Sequence, residues 1–235
     1  MKFQVDIHPA QVEILHTLLF TPSAKFSELN KTGLSSDHFN FHLKRLLLLE
    51  IIMKTPEGKY TLTTAGKELA NSLDTEANTI ERQAKVSARI IPIKIENGQK
   101  YYLLEKRLKQ PYFGYLGFLG GKIRWGETTI EAAYREFKEE AGAEAFDIRL
   151  IGVKHKMDLN KDGELLEDKF FFNHIVENIV GDINLKFEGG ETIWMTREQI
   201  VNIKEIFDGV IETLDWVDDS DNFHYSERKY VVSGY

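Results

Sequence analysis

The stretch that most constrains this chain runs from Gly120 to Ala143, GGKIRWGETTIEAAYREFKEEAGA. It reads as a glycine turn, a short loop and one amphipathic helix. Ile130, Ala133, Tyr134, Phe137 and Ala141 recur at helical spacing and predict a buried stripe. Glu136, Glu139 and Glu140 stand three and four positions apart, which puts their carboxylates together on the other side. Like charges at that spacing oppose helix formation, so the patch calls for a cation. Hard divalent ions take oxygen ligands, and Mg²⁺ shares itself between carboxylates and substrate phosphates.

The same residues resemble the box of the Nudix family, G-x5-E-x7-R-E-U-x-E-E-x-G-U, where U is a bulky apolar residue. Gly121, Glu127, Arg135, Glu136, Phe137, Glu139, Glu140, Gly142 and Ala143 fill it, with Ala143 a small occupant of the last apolar slot. A chance match of the seven fixed positions is on the order of one in a hundred million, which makes the motif specific. One departure precedes it: Leu119 stands where many members have proline.

Length and charge frame the rest. A chain of 235 residues suits one large domain or two smaller ones. There is no run of eighteen apolar residues to cross a bilayer, and the N-terminus lacks the apolar core of a secretory signal. The absence of cysteine excludes disulfides and thiolate sites and fits a cytoplasmic location. Residues 1–84 carry 9 Lys and Arg against 10 Asp and Glu, and residues 85–235 carry 21 against 27. Neither part has the basic excess typical of a nucleic-acid binder.

Ahead of the box, helices are predicted at residues 9–20, around Phe26–Asn30, and from a cap at Ser35 or Ser36 to about Leu49, with Leu43, Leu46 and Leu47 as the core stripe of the third. Residues 53–64 read as two short strands about Pro56-Glu57-Gly58, and Thr64 is placed to cap a helix over Ala65–Leu73. HFNFHLKRLLLLEIIMKTPEGKYTLTTAGKELA resembles the winged helix-turn-helix of transcriptional regulators. That resemblance implies double-stranded DNA as a partner. Ser36, Asp37, His38, Asn40, Lys44 and Arg45 would then face the groove, and Lys54 and Lys59 on the wing would touch phosphates. Such modules also serve as dimerisation units, and a homodimer is the expected assembly. His38 and His42 have a zinc-compatible spacing, but nothing nearby in sequence completes a site.

The polar residues 75–84 read as a linker, partly helical. Val86–Ile95 and Tyr101–Glu105 read as strands joined at Asn97-Gly98. Tyr112, Phe113 and Tyr115 either stack on a substrate base or sugar or pack in the core. Phe146–Lys154 and Lys169–Glu177 are further strands about a turn at Lys161-Asp162-Gly163. Asp158, Asn160 and Asp162 imitate a calcium loop, but Lys169 stands where its closing glutamate is needed. Short strands at Ile183–Phe187 and Thr192–Met195, a helix from a Thr196 cap to about Ile206 and a helix over Asp208–Trp216 follow. The acidic-aromatic tail after them is open between packed terminus, dimer contact and lid.

The expected organisation is therefore multidomain. A mostly α winged helix-turn-helix spans residues 1–74, residues 75–84 link, and an α/β Nudix fold with a mixed sheet between helices spans 85–235. The Nudix resemblance implies a metal-dependent hydrolase that cleaves the pyrophosphate of a nucleoside diphosphate linked to another group. Mg²⁺ or Mn²⁺ would sit on Glu136, Glu139, Glu140 and the Gly120 carbonyl. Arg135 and Glu127 would form an ion pair that aims the carboxylates. Arg124, Lys106 and Arg107 would meet substrate phosphates, and Glu188 and Glu191 are candidates for the general base. The competing reading is a transcriptional regulator that senses a nucleotide metabolite without cutting it.

Overall fold

The structure, a computed structural model, describes residues 7–31, 33–74, 79–80 and 83–233. The chain divides into two compact units, Met1–Arg82 and Gln83–Tyr235.

In the first unit α1 (Pro9–Phe20) opens on a cap formed by His8, whose ring nitrogen accepts from the Ala10 N–H at 3.1 Å while Gln11 accepts from the His8 N–H. Then follow α2 (Phe26–Leu29) and α3 (Ser36–Leu48), the latter capped by Ser35. The antiparallel pair β1 (Ile52–Lys54) and β2 (Tyr60–Leu62) leads to α4 (Thr64–Asn71). The cap of α4 is Thr63, one residue before the expected Thr64. Ile14, Leu15, Phe39, Leu43, Leu46 and Ile52 form the core. Leu47 only half joins it and Leu48 is 83% exposed, because the leucine run outlasts the buried face of α3. The expected linker supplies β4 (Thr79–Ile80), which pairs antiparallel with β3 (Leu73–Asp74) just before it, and the helix expected to reach Leu73 ends at Asn71. Residues 75–78 and 81–82 of that linker lie outside the described residues.

The second unit is built on strands β5 (Lys85–Glu96), β6 (Gln99–Arg107), β7 (Leu116–Lys122), β8 (Glu144–Leu159), β9 (Leu165–Val180), β10 (Lys186–Phe187), β11 (Gly190–Met195) and β12 (His224–Val231). They form one sheet in the order β10-β11-β6-β7-β5-β9-β8-β12. The β5–β9 and β8–β12 pairs are parallel and the others antiparallel, so the sheet is mixed. Helix α5 (Thr129–Ala141) covers one face, packing Ala132, Ala133, Phe137 and Ala141 against Ala88, Ile90, Leu119 and Val176. The other face carries α6 (Arg197–Val201) and α7 (Val210–Asp218), with Val210, Leu214 and Val217 on Ile91, Ile93 and Ile175. This is an α/β fold with a mixed sheet between helices.

Two expectations are corrected here, and the tail, left open by the sequence, finds its place. Ile130 and Tyr134 are 42% and 39% exposed, because α5 is rotated to bring its small alanines and Glu140 onto the sheet. The helix begun at Thr196 stops at Val201, and the next one starts after Gly209. The tail forms an edge strand parallel to β8, a long-range pairing that no local turn announces. Among the described residues no helix is long and apolar enough to cross a membrane, which says nothing of a β-barrel.

Candidate active site

Near its end strand β7 carries Gly120 and Gly121 directly under α5. Gly120 has φ +147°, and a Cβ there would strike the Ala88 carbonyl. A Cβ on Gly121 would strike the Glu136 carboxyl. Two bare glycines therefore let the helix lay its carboxylates against the strand. The helix starts on a Thr128–Glu131 capping box and stops at Gly142, whose φ of 71° suits glycine.

Each acidic side chain of α5 meets a different environment. Glu140 is buried, and its carboxylate accepts from the Gly120 N–H at 3.0 Å. Burial, then the neighbouring Glu105, push its pKa up to about 8 against the pull of that hydrogen bond. Glu136 accepts from Arg135 Nη1 at 2.5 Å. Glu139 is exposed and is held by Arg124 at 3.2 Å and Arg135 at 3.3 Å. Arg135 also grips Glu127 with two parallel bonds of 2.6 and 2.8 Å and donates to the Lys122 carbonyl at 3.1 Å. Those bonds tie the loop to the helix, and they draw Glu127 down to about 2.

The three glutamates thus do not form the single patch expected from spacing alone. Among the described residues no three acidic or histidine side chains are arranged as a ready metal cage. Two of the three are turned onto arginines, the nearest opposite charges. The residue that joins Glu140 comes from a strand. Glu105 of β6 is buried, its Oε1 has no hydrogen-bond partner, and burial raises its pKa. Nothing local in the sequence marks Glu105; its place on the α5 side follows from strand alternation with Leu103.

These carboxylates floor a cleft of about 650 Å³. Eight Lys and Arg against five Asp and Glu line it, in a chain whose net charge is −7. A cleft of one sign in a chain of the other draws anions. Gly120, Gly121, Arg124, Glu136, Glu140 and Tyr112 line it, and so does Arg107. Tyr112 is buried, with its ring on Phe207 and its hydroxyl donating to Asp158 at 2.9 Å, so core packing takes up most of it. Phe113 is 60% exposed and absent from the lining, as is Lys106. Glu188 is exposed in the β10–β11 turn and Glu191 pairs with Lys186 at 3.0 Å; neither lines the cleft. They are therefore poorly placed for the base role expected of them.

In the first unit Ser36, Asp37, His38, Lys44 and Arg45 are exposed along α3, and Asn40 is half-buried. Lys54 is exposed on β1 and Lys59 half-buried before β2. His42 stacks on His8, ring centroids 3.8 Å apart, and among the described residues no group of three possible metal ligands forms around it.

A mixed α/β sheet that sets an acidic helix against a bare-glycine strand, at the floor of a cationic cleft, defines the class of domain. Residues 84–217, more than half of the chain, match the NUDIX domain, and the chain belongs to that family. Among solved structures it is similar to the mMutator MutT protein of Bacillus halodurans, at 18% identity and a TM-score of 0.54 over 64% of this chain and 93% of that one. It is likewise similar to the NUDIX domain of Shewanella oneidensis NrtR complexed with ADP ribose, at 14% identity and a TM-score of 0.52 over 67% and 98%. At such identities the likeness is one of fold. No curated protein matches the chain.

Proposed function

We propose that the chain is a metal-dependent hydrolase of the pyrophosphate linkage in a nucleoside diphosphate joined to another group. The observation that carries this reading is the pairing of buried Glu140 and Glu105 at the floor of a cleft lined by cations. Two adjacent buried carboxylates, one with an unpartnered oxygen, are an unfavourable arrangement unless a hard cation or a proton sits with them. The donors present, all oxygen, fit Mg²⁺ or Mn²⁺. Glu136, Glu139, Glu140 and the Gly120 carbonyl would hold it, once Glu136 and Glu139 turn from their arginines. When bound, the ion supplies charge neutralisation for the phosphates and acidifies a water.

The remaining work falls to this chain's own groups. Arg135 and Glu127 fix the loop and aim the carboxylates. Arg124 and Arg107, at the cleft wall, offset phosphate charge. Glu105 replaces Glu188 and Glu191 as our candidate for the base that takes the proton of the attacking water. The test is a panel of nucleoside diphosphate derivatives with Mg²⁺ or Mn²⁺ and identification of the phosphate-ester products. Turnover of at least one member is expected; folded, metal-loaded protein that cuts none would overturn the reading.

A second reading concerns the first unit, which we infer to be a winged helix-turn-helix that binds duplex DNA as a homodimer. It is supported by Ser36, His38 and Lys44 standing exposed along one helix, with Lys54 exposed on the following hairpin. Gel shift against genomic fragments should yield a specific site, released by a nucleotide if the chain is a sensor. Only salt-sensitive binding without sequence preference would sink it.

A further inference from the structure

The cleft holds a second polar group that the hydrolase reading leaves unused. Arg89 sits on β5, in register with Gly120 on β7 and Asn173 on β9. Its neighbours Ala88 and Ile90 pack towards α5, so Arg89 projects from the opposite face of the sheet. It is only 8% exposed, yet it lines the cleft. Its guanidinium lies 3.7 Å from the centre of the Phe171 ring. Among the described residues no carboxylate stands at ion-pair distance from it, and its Nη1 has no hydrogen-bond partner.

The acids nearby are already taken. Asp158 is bound by Lys156 and by the Tyr112 hydroxyl. Glu167 is bound by Lys85 at 2.8 Å and Lys169 at 3.3 Å. Arg89 is therefore surplus positive charge at this wall, and Lys156 adds to the field about it. A buried guanidinium left without an acceptor is costly, and a planar fork stacked on an aromatic ring is pre-set for an anionic oxygen pair. A face of the cleft so arranged complements a ligand group that brings its own negative charge.

We propose that Arg89, backed by Phe171 and flanked by Lys156, is a subsite for an anionic oxygen group, phosphate or carboxylate, on the part of the substrate beyond the diphosphate. The proposal rests on the hydrolase reading for what occupies the rest of the cleft. It separates substrates by a charge on the group joined to the nucleotide and not by the base.

Two matched pairs test it: UDP-glucose with UDP-glucuronate, which differ by a carboxylate, and ADP-ribose with ADP-ribose 1″-phosphate, which differ by a phosphate on the joined ribose. Calorimetric affinities are measured for the wild type and Arg89→Met, which keeps bulk and removes charge. Inorganic phosphate is titrated as a probe that needs no nucleotide. In the wild type the anionic member of at least one pair should bind about tenfold tighter or more, as a charge-assisted bidentate contact allows. In Arg89→Met that preference should collapse and phosphate binding should weaken similarly. Arg89→Lys, which keeps charge without the fork, should retain part of the preference and guards against a misfolded Met variant.

Equal binding within both pairs, or a preference that survives Arg89→Met, overturns the proposal. So does an equal loss for both members of a pair, which would assign Arg89 to the diphosphate itself. Arg89-dependent phosphate binding in a protein that cuts nothing would sink the hydrolase reading and leave the subsite standing.

Discussion

The two walls of the cleft bury charge in opposite ways. On the α5 wall two carboxylates, Glu140 and Glu105, lie together; Glu140 accepts from the Gly120 N–H, and no basic side chain stands at ion-pair distance from either among the described residues. On the facing wall the buried charges are mixed. Lys156 is clasped to Asp158, Lys85 and Lys169 share Glu167, and of these cations Arg89 is the one with no acid at ion-pair distance among the described residues. The difference teaches what each wall is for. Matched pairs hold their charge within the protein and give shape. Unmatched charges point to what must come from outside, a cation on one wall and an anion on the other.

The sharpest way to break this contrast is Glu140→Gln. If the α5 wall works through its charge, kcat on any substrate the panel identifies should fall by about a thousandfold or more, in the range of losing a group that acts in the transition state. The melting temperature should hold or rise, since a buried carboxylate leaves. A loss of fewer than ten turns in a hundred would remove Glu140 from the chemistry.

The facing wall should answer in stability instead. Asp158→Ala strands Lys156 and should cost about 3 kcal/mol in denaturant unfolding, the scale of breaking one partner out of a buried pair. An unchanged midpoint would mean that the pair contributes little and that this wall is not held by its matched charges.

The smallest effect is in pH. The folded state holds a proton on Glu140 up to about pH 8, whereas an ordinary glutamate releases it at 4.5. Between those values the folded state binds a proton that the unfolded state lacks, so stability is full below the lower value and is lost as pH rises through the upper one. Metal-free protein should therefore melt at falling temperature from about pH 5 to about pH 8.5, and Glu140→Gln should flatten the slope. Glu105, raised in the same direction, should leave a residual slope. A slope identical in the variant would place the titration elsewhere.

Much of the frame was legible from residue pattern. The cap, stripe and glycine stop of α5 are local, and they appear at Thr128, Phe137 and Gly142. The Asn97-Gly98 turn announces the β5–β6 hairpin in the same way. The phase of α5 was less legible. Periodicity set Tyr134 inside and Glu140 outside, and the sheet reversed both because alanines allow a closer approach along their own line. Strand β12 was not legible at all, since its parallel partner is some seventy residues earlier.

The chain's order of residues, taken alone, determined the acidic helix, the glycine pair before it and the Arg135–Glu127 spacing, because each is a matter of neighbours within one or two turns. Only the tertiary structure decided that Glu105 stands beside Glu140, that Glu136 and Glu139 face arginines, and that Arg89 is left over. Those placements depend on which strands lie side by side in the sheet, and strand pairing is set by long-range burial that no local pattern encodes.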